Sequence, residues 1–250
     1  MKKFFGLLLM AGVFLTTVAH AGDAIVVGTS ADYPPYEYTD AAGDFVGFDM
    51  DLIRAIGEKI GKKVKIVDMG FDTLIAGLQN GKIDVVIAAM QASDERKKMV
   101  DFSNVYHEIK DAILVKADSD IEINSIHDIS QYKVASQTGT IQEKWIQENL
   151  VKKGKLAAKD YFSYERVDNA AMDIKAGRVD VLHIIADPAL SLAEKNNLKI
   201  ALITTEAVSA GQSLAVTKGN TELLTLINRA IEELKAEGIL QELMDKYKLL

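Results

Sequence analysis

The chain has 250 residues, of which 48% are hydrophobic, and its formal net charge is −7. This length suffices for one or two globular units with hydrophobic cores. Phosphate groups repel an acidic chain, so no nucleic-acid partner is expected. The chain has no cysteine, which excludes disulfide bonds, cysteine metal ligands and a cysteine nucleophile.

The first 21 residues predict a secretory signal peptide. Lys2 and Lys3 form its basic start, residues 4–18 form an apolar block, and Ala19 and Ala21 are the small residues of a cleavage site. The apolar block is shorter than a membrane span. We expect cleavage after Ala21, a net charge of −9 in the mature protein and a periplasmic location. A freely secreted protein and a buried N-terminal helix are the alternatives.

The next stretch of the chain alternates predicted strands and helices. Apolar runs predict strands over 24–30, 63–69 and 83–90. Apolar residues at helical spacing predict helices over 47–61 and 72–81. This alternation is typical of parallel strands joined by crossover helices, so the sequence predicts an α/β fold.

A second series of the same kind follows. Strands are predicted over 132–137, 161–167 and 179–185, and helices over 140–154 and 168–177. Thr140 and Glu143 match a capping box at the start of one helix. Asp187 and Pro188 predict the cap and the first position of a further helix.

The two series contain an internal repeat. FDTLIAGLQNGKIDVVIAA (71–89) aligns without gaps with VDNAAMDIKAGRVDVLHII (167–185). We interpret the match as two lobes of similar construction. The alignment also gives Gln91 and Asp187 equivalent positions, just after the repeated strand.

The C-terminal part predicts how the lobes are connected. Residues 213–220 are predicted to form a strand and loop, and 221–248 two helices with a glycine between them. They are expected to pack on the first lobe. The predicted domains are then lobe 1 from 22–108 and 210–250 and lobe 2 from 109–209. Two chain crossings between the lobes would form a hinge over a cleft.

Several residues follow predicted strands, where open α/β sheets bind their ligands. Tyr33 lies in a loop stiffened by two prolines and would form an aromatic wall of the cleft or pack on a surface turn. Arg96 would hold a carboxylate or be a solvated helix cation. Thr140 would help to bind an anion at a helix start or be an ordinary cap. Phe71 would form the cleft floor or belong to the core.

The sequence shows no sign of a cofactor or metal site. His107, His127 and His183 lie far apart and have no metal-ligand spacing. His183, inside an apolar strand, is interpreted as a core residue. P-loop, GxSxG and His-Glu-x-x-His motifs are missing. We therefore expect no cofactor, no metal and no enzymatic activity.

In order and spacing, six segments resemble the periplasmic amino-acid-binding proteins of ABC importers. The segments are GTSADYPPYEY (28–38), GFDMDL (47–52), FDTLIAGLQNGKIDVVIAAM (71–90), DERKKMVDFS (94–103), QTGTIQE (137–143) and AGRVDV (176–181). The resemblance implies the two-lobe periplasmic-binding-protein fold of type II, which closes over one free amino acid. It also implies an inner-membrane ABC permease as partner, and we expect a monomer.

The resemblance further implies roles for individual residues. Arg96 would hold the α-carboxylate of the ligand, helped by the backbone N–H groups of Gln91 and Thr140. Ala89 would offer its carbonyl group, and Asp187 its carboxylate, to the α-ammonium group.

Other positions concern the ligand side chain, and some depart from the family pattern. Tyr33 and Phe71 match the aromatic residues that enclose it. Ser30 stands where some relatives carry an aspartate, for which Asp32 is a candidate substitute. Gln91 stands where relatives usually have serine or threonine. The second-lobe aspartate of the family usually lies about two residues nearer to the Gly-base-x-Asp sequence than Asp187 does.

The expected function is capture of a polar or basic amino acid such as arginine, lysine or glutamine. Asp32, Glu37 and Asp187 favour a cationic ligand, whereas Gln91 and Ser30 also suit glutamine. The alternative is a cyclohexadienyl or arogenate dehydratase on the same fold, with Glu37 or Asp187 as general acid. A third possibility is the ligand-binding part of a two-protein sensor.

Overall fold

The computed structural model describes residues 24–207 and 211–250. The predicted signal peptide (1–21) and its cleavage site lie outside these residues. The described chain forms two five-stranded sheets with helices packed on them, and one small three-stranded sheet. Within it, no helix combines the length and the apolar character that a membrane crossing requires.

The strands are short, as in most α/β proteins. They are β1 (Ala24–Thr29), β2 (Asp32–Tyr33), β3 (Glu37–Thr39), β4 (Phe45–Val46), β5 (Lys63–Asp68), β6 (Val85–Val86), β7 (Val100–Phe102), β8 (Asp111–Lys116), β9 (Val134–Gln137), β10 (Tyr161–Tyr164), β11 (Val181–Ile185), β12 (Leu198–Thr204) and β13 (Ala215–Thr217).

The helices are α1 (Phe48–Lys59), α2 (Leu74–Gln79), α3 (Asp94–Met99), α4 (Ile141–Ile146), α5 (Val167–Lys175), α6 (Ala186–Asn196), α7 (Thr221–Ala236) and α8 (Ile239–Tyr247). Short 3₁₀ segments cover Phe71–Thr73, Ile126–Gln131 and Ala158–Asp160. A π-helical segment, Gln147–Val151, continues α4.

The two large sheets define the two lobes. The first has the order β5-β1-β6-β13-β7, and the second has the order β10-β9-β11-β8-β12. In each sheet the three strands of the repeated series are parallel, and the strands that join the lobes are antiparallel. This confirms the α/β two-lobe fold.

The chain crosses between the sheets twice. It leaves the first sheet after Phe102, enters the second at Asp111, and returns between Thr204 and Ala215. β13 therefore completes the first sheet, and the helices α7 and α8 that follow pack against α1. The exact lobe limits at 108/109 and 209/210 stay a prediction.

The internal repeat has the same structure in both lobes. The Asp84 carboxylate accepts the Val26 N–H at 2.8 Å, and the Asp180 carboxylate accepts the Lys133 N–H at 2.8 Å. Each aspartate also returns its own N–H to the carbonyl group of the same partner. The repeated aspartates thus attach each apolar strand to its neighbour.

Three details differ from the sequence predictions. The strand predicted over 83–90 is reduced to β6, because the backbone turns at Ala89, whose φ is +47°. Asp187 is not a helix cap, since α6 begins at Ala186 with Ile185 at the N-cap and no side-chain capping bond. The strands β2, β3, β4, β7, β8 and β12 were not predicted.

Candidate ligand site between the lobes

A narrow, nearly closed cavity lies where the two lobes meet, with about 10 Å³ of space accessible to a water molecule. Both sheets direct strand ends and loops towards it, as expected for open α/β sheets. The first lobe contributes Ser30, Tyr33, Glu37, Phe71, Ala88, Ala89 and Gln91, and the second contributes Gln137, Thr140, Gln142 and Ile185.

The first-lobe wall depends on a strained backbone position. Ala89 adopts a left-handed conformation, which costs a non-glycine residue about 1–2 kcal/mol. The Asp49 carboxylate, at the start of α1, accepts the Ala89 N–H at 2.7 Å and the Tyr106 hydroxyl at 3.0 Å. These buried bonds hold the turn that ends the repeated strand at the cavity. Such strain is concentrated at functional sites.

Arg96 is a buried cation beside the cavity. Its guanidinium group donates to Gln91 O at 2.6 Å and to Gly139 O, on the other lobe, at 2.8 Å. It also lies 5.3 Å from the centre of the Phe71 ring. No carboxylate within 24–207 or 211–250 forms an ion pair with it. Burial lowers the pKa of Arg96 to about 10, because a charge removed from water is destabilised unless it is paired.

The lobes approach each other closely at Gly139. Its φ is +78°, and a Cβ atom there would lie 2.9 Å from the Cβ atom of Asp72 on the first lobe. Both facts favour glycine, which accepts this conformation and leaves room for the opposite chain. The close approach brings the start of α4 next to Arg96.

The partial positive charge at the start of α4 is already partly neutralised by the protein's own side chains. Thr140 caps the helix, because its hydroxyl accepts the Glu143 N–H at 3.1 Å. The Glu143 carboxylate does not return to the Thr140 N–H, as a capping box would, but accepts the Gly139 N–H at 2.5 Å. The Thr140 N–H makes a long bond of 3.4 Å to Gln137 O. An anion at this helix start therefore competes with the protein's own glutamate.

Glu37 forms a buried acid pair with Asp49 in the first-lobe wall. Its side chain is 1% exposed, and its Oε2 atom has no hydrogen-bond partner in the described structure. Burial and the nearby Asp49 raise the pKa of Glu37 well above its ordinary value. Burial also raises the pKa of Asp49 to about 6. Burial and mutual repulsion thus favour the protonated form of the pair, as for other neighbouring buried carboxyl groups.

Asp32 lies outside the cavity lining and joins the lobes instead. Its carboxylate accepts the Ser30 hydroxyl at 3.0 Å and, from the second lobe, the Val167 N–H at 2.8 Å. Arg166 lies 3.5 Å from Asp32 and binds both oxygens of Asp68, at 3.2 and 2.9 Å. The geometry gives Asp32 a role in lobe contact and does not support its predicted role as a ligand residue.

Asp187 also lies away from the cavity. Its buried carboxylate accepts the Tyr36 hydroxyl at 2.6 Å and the Leu250 N–H at 2.8 Å, and it lies 3.6 Å from His107 Nε2. These partners belong to the hinge side of the first lobe. The predicted contact between Asp187 and the ligand ammonium group therefore receives no support from the structure.

The other predicted residues do converge. Arg96 stands beside the cavity, and six more line it: Ser30, Tyr33, Phe71, Ala89, Gln91 and Thr140. The sequence reasoning did not place Gln137, Gln142 and Ile185 there. The usual family spacing, two residues before Asp187, would have identified the position of Ile185. No local signal identifies Gln142.

The whole described chain matches one protein family. The model of the bacterial extracellular solute-binding proteins, family 3, matches residues 25–249. The chain belongs to this family. Its relatives are named as binding proteins, which agrees with the expectation that this family member is not an enzyme.

Three relatives show the extent of the similarity. The arginine-binding extracellular protein ArtP of Bacillus subtilis is 34% identical over 89% of this chain and 85% of its own length. The L-cystine-binding protein TcyJ of Escherichia coli K12 is 31% identical over 96% of this chain and 91% of its own length. The structure of an ancestral arginine-binding protein bound to arginine has a TM-score of 0.84 and 38% identity, and the match covers 91% of this chain and 99% of that chain.

Proposed function

We propose that this family-3 protein binds one free amino acid in the cavity between its lobes and delivers it to the permease of an ABC importer. The observation that carries the proposal is Arg96, a buried guanidinium group whose partners are carbonyl oxygens and an aromatic ring. A buried cation of this kind is stabilised strongly by a carboxylate, which it binds with two parallel hydrogen bonds.

Unpaired polar atoms around the cavity support the same proposal. Glu37 Oε2 and Gln91 Nε2 are buried and have no hydrogen-bond partner among the described residues. Leaving such an atom unpaired costs about 1–3 kcal/mol. A small polar ligand would pair these atoms, and Tyr33 and Phe71 would enclose its aliphatic part.

The mechanism follows from the position of the site between the lobes. Arg96 of the first lobe already contacts Gly139 of the second. A ligand that bonds to both walls has differential affinity for the closed arrangement and shifts the population towards it. The closed form is then the state that a permease would recognise.

The ligand class that fits best is a polar or basic amino acid such as arginine, lysine or glutamine. Glu37 offers a carboxyl group to a cationic side chain, and Gln91 offers an amide group. The relatives named for arginine and L-cystine support an amino acid and leave its side chain open.

The cellular setting is part of the same proposal. Family membership supports an extracytoplasmic protein. Cleavage after Ala21 would release a periplasmic monomer that starts at Gly22, and N-terminal sequencing of the exported protein would show this residue.

The direct test is Arg96→Ala, measured by calorimetry. Losing a buried charge-assisted contact costs about 2–5 kcal/mol, so we expect the affinity to fall about 30-fold or more. Arg96→Lys keeps the charge without the bidentate geometry and should lose less. Unchanged affinity in a folded Arg96→Ala variant would refute the proposal.

The ligand is found by a thermal-shift screen of the wild type against the twenty amino acids, since a bound ligand raises the apparent stability. We expect the largest shift among arginine, lysine and glutamine. Prephenate and arogenate serve as controls for the enzyme alternative. Conversion of either to an aromatic product would overturn the binding role.

A further inference from the structure

The second-lobe wall of the cavity contains a buried carboxylate that the proposed function does not yet use. Asp111 begins β8, and its side chain is fully buried. It pairs in register with Ile185, the residue that ends β11 and lines the cavity. Asp111 therefore lies directly behind the cavity wall, on the neighbouring strand.

Two side chains occupy the oxygens of this carboxylate. Gln142 Nε2 donates to Asp111 Oδ1 at 2.8 Å, and His183 Nε2 lies 2.9 Å from Asp111 Oδ2. The His183 ring is itself fixed by Trp145, which packs edge-on at 5.9 Å between ring centres. Asp111 is thereby held in one orientation.

The bond to Asp111 decides which end of the Gln142 amide faces the ligand. A carboxylate only accepts hydrogen bonds, so the amide must present its NH₂ group to Asp111. Its carbonyl oxygen is then left for the cavity that Gln142 lines. Nothing in 24–207 or 211–250 donates a hydrogen bond to this oxygen. The second-lobe wall thus offers a hydrogen-bond acceptor that the contact with Asp111 orients.

The position of this acceptor matches the ammonium group of an amino acid. Gln142 lies in the first turn of α4, three residues after Gly139, whose carbonyl oxygen is bonded to Arg96. A carboxylate on Arg96 brings the α-ammonium group, two bonds away, to the same end of the cavity. Both charges of a buried zwitterion need partners. Ile185, the neighbouring wall residue, has an apolar side chain and offers none.

We propose that Gln142 binds the α-ammonium group of the ligand, and that Asp111 and His183 are positioning residues that orient its amide group. The inference rests on the proposed function and deepens it, because it assigns the ammonium partner to the second lobe. It also gives a reason for the buried Asp111–His183 pair that packing alone does not supply.

The test compares each amino acid with its counterpart that lacks the α-amino group. The probes are arginine with 5-guanidinopentanoic acid, lysine with 6-aminohexanoic acid, and glutamine with glutaramic acid. Affinities are measured for the wild type, Asp111→Asn and Gln142→Leu, using whichever pair contains the tightest wild-type ligand. Both substitutions keep the volume of the side chain nearly constant.

We expect Asp111→Asn and Gln142→Leu to weaken binding of the amino acid about tenfold or more and to leave the counterpart nearly unchanged, since coupled groups give non-additive effects. Asp180→Asn, in the same lobe but away from the cavity, should change neither affinity. Equal losses for both probes would mean a structural role and would overturn this inference alone. A wild type that binds no amino acid would instead refute the proposed function.

Discussion

The two copies of the internal repeat share a scaffold and differ in chemistry. In both, a glycine with positive φ (Gly81 at +64° and Gly177 at +72°) ends the helix, and an aspartate fixes the following strand. The residues just beyond the strands then diverge. Gln91 lines the cavity, whereas its equivalent Asp187 is bonded to the hinge. The comparison teaches that the two copies share the path of the backbone, whereas equivalent side chains contact different parts of the protein.

The largest effect that we expect from this comparison is the loss of stability caused by substitution of Asp187. Asp187→Ala removes the acceptor of the buried Tyr36 hydroxyl and of the Leu250 N–H, and should reduce the free energy of unfolding by about 1–3 kcal/mol. Urea unfolding measures it. Gln91→Ala should cost less stability, because Gln91 Nε2 is already unpaired. If Asp187→Ala abolished ligand binding and left stability unchanged, Asp187 would belong to the cavity after all.

The pH dependence of binding should distinguish the two walls. Burial and Asp49 raise the pKa of Glu37 well above its ordinary value, which favours its protonated form. A cationic side chain beside Glu37 favours its ionised form, so binding would release a proton. Affinity for lysine or arginine should then rise with pH, by up to about tenfold per unit. Asp111, in the second wall, already has two hydrogen-bonded partners.

Calorimetry between pH 5 and pH 8 checks this dependence. Glutamine, whose side chain is neutral, should show little slope and serves as the matched ligand control. Glu37→Gln should remove the slope for lysine. The same slope for lysine and glutamine would assign it to another group.

The smallest expected effect concerns the repeated aspartates, Asp84 and Asp180, which attach the strands to each other. Asp84→Ala and Asp180→Ala each remove one hydrogen bond from a carboxylate to a strand N–H group. Each should lower the free energy of unfolding by about 1 kcal/mol and leave ligand selectivity unchanged. Thermal unfolding of the two variants measures the two losses of stability. A clear difference between them would show that the two copies do not contribute equally.

Local patterns explain which elements could be predicted. The helices α1, α5 and α7 show apolar residues at helical spacing, and β1 and β11 are continuous apolar runs. The repeat also predicted the common structure of the lobes. β8 and β12 are apolar runs too, but they lie outside the repeated series on which the strand predictions rested.

Local patterns also predicted part of the candidate site. Arg96, Tyr33 and Phe71 stood out because each follows a predicted strand. Gln142 and Asp111 did not, since their importance comes from a contact between residues 31 positions apart. A side chain of this kind has no signature in its own neighbourhood.

The sequence by itself determined the lobes, the repeated scaffold and the family resemblance, because periodicity and spacing are properties of neighbouring residues. Only the tertiary structure decided which charges are paired. Asp32 meets Val167 across 135 positions, and Tyr36 meets Asp187 across 151. Both carboxylates are thereby committed to protein partners, whereas Arg96 bonds to carbonyl oxygens and forms no ion pair with a carboxylate among the described residues. Burial and distance, which no local pattern encodes, separate the charge that we propose to bind a ligand from the charges that hold the lobes.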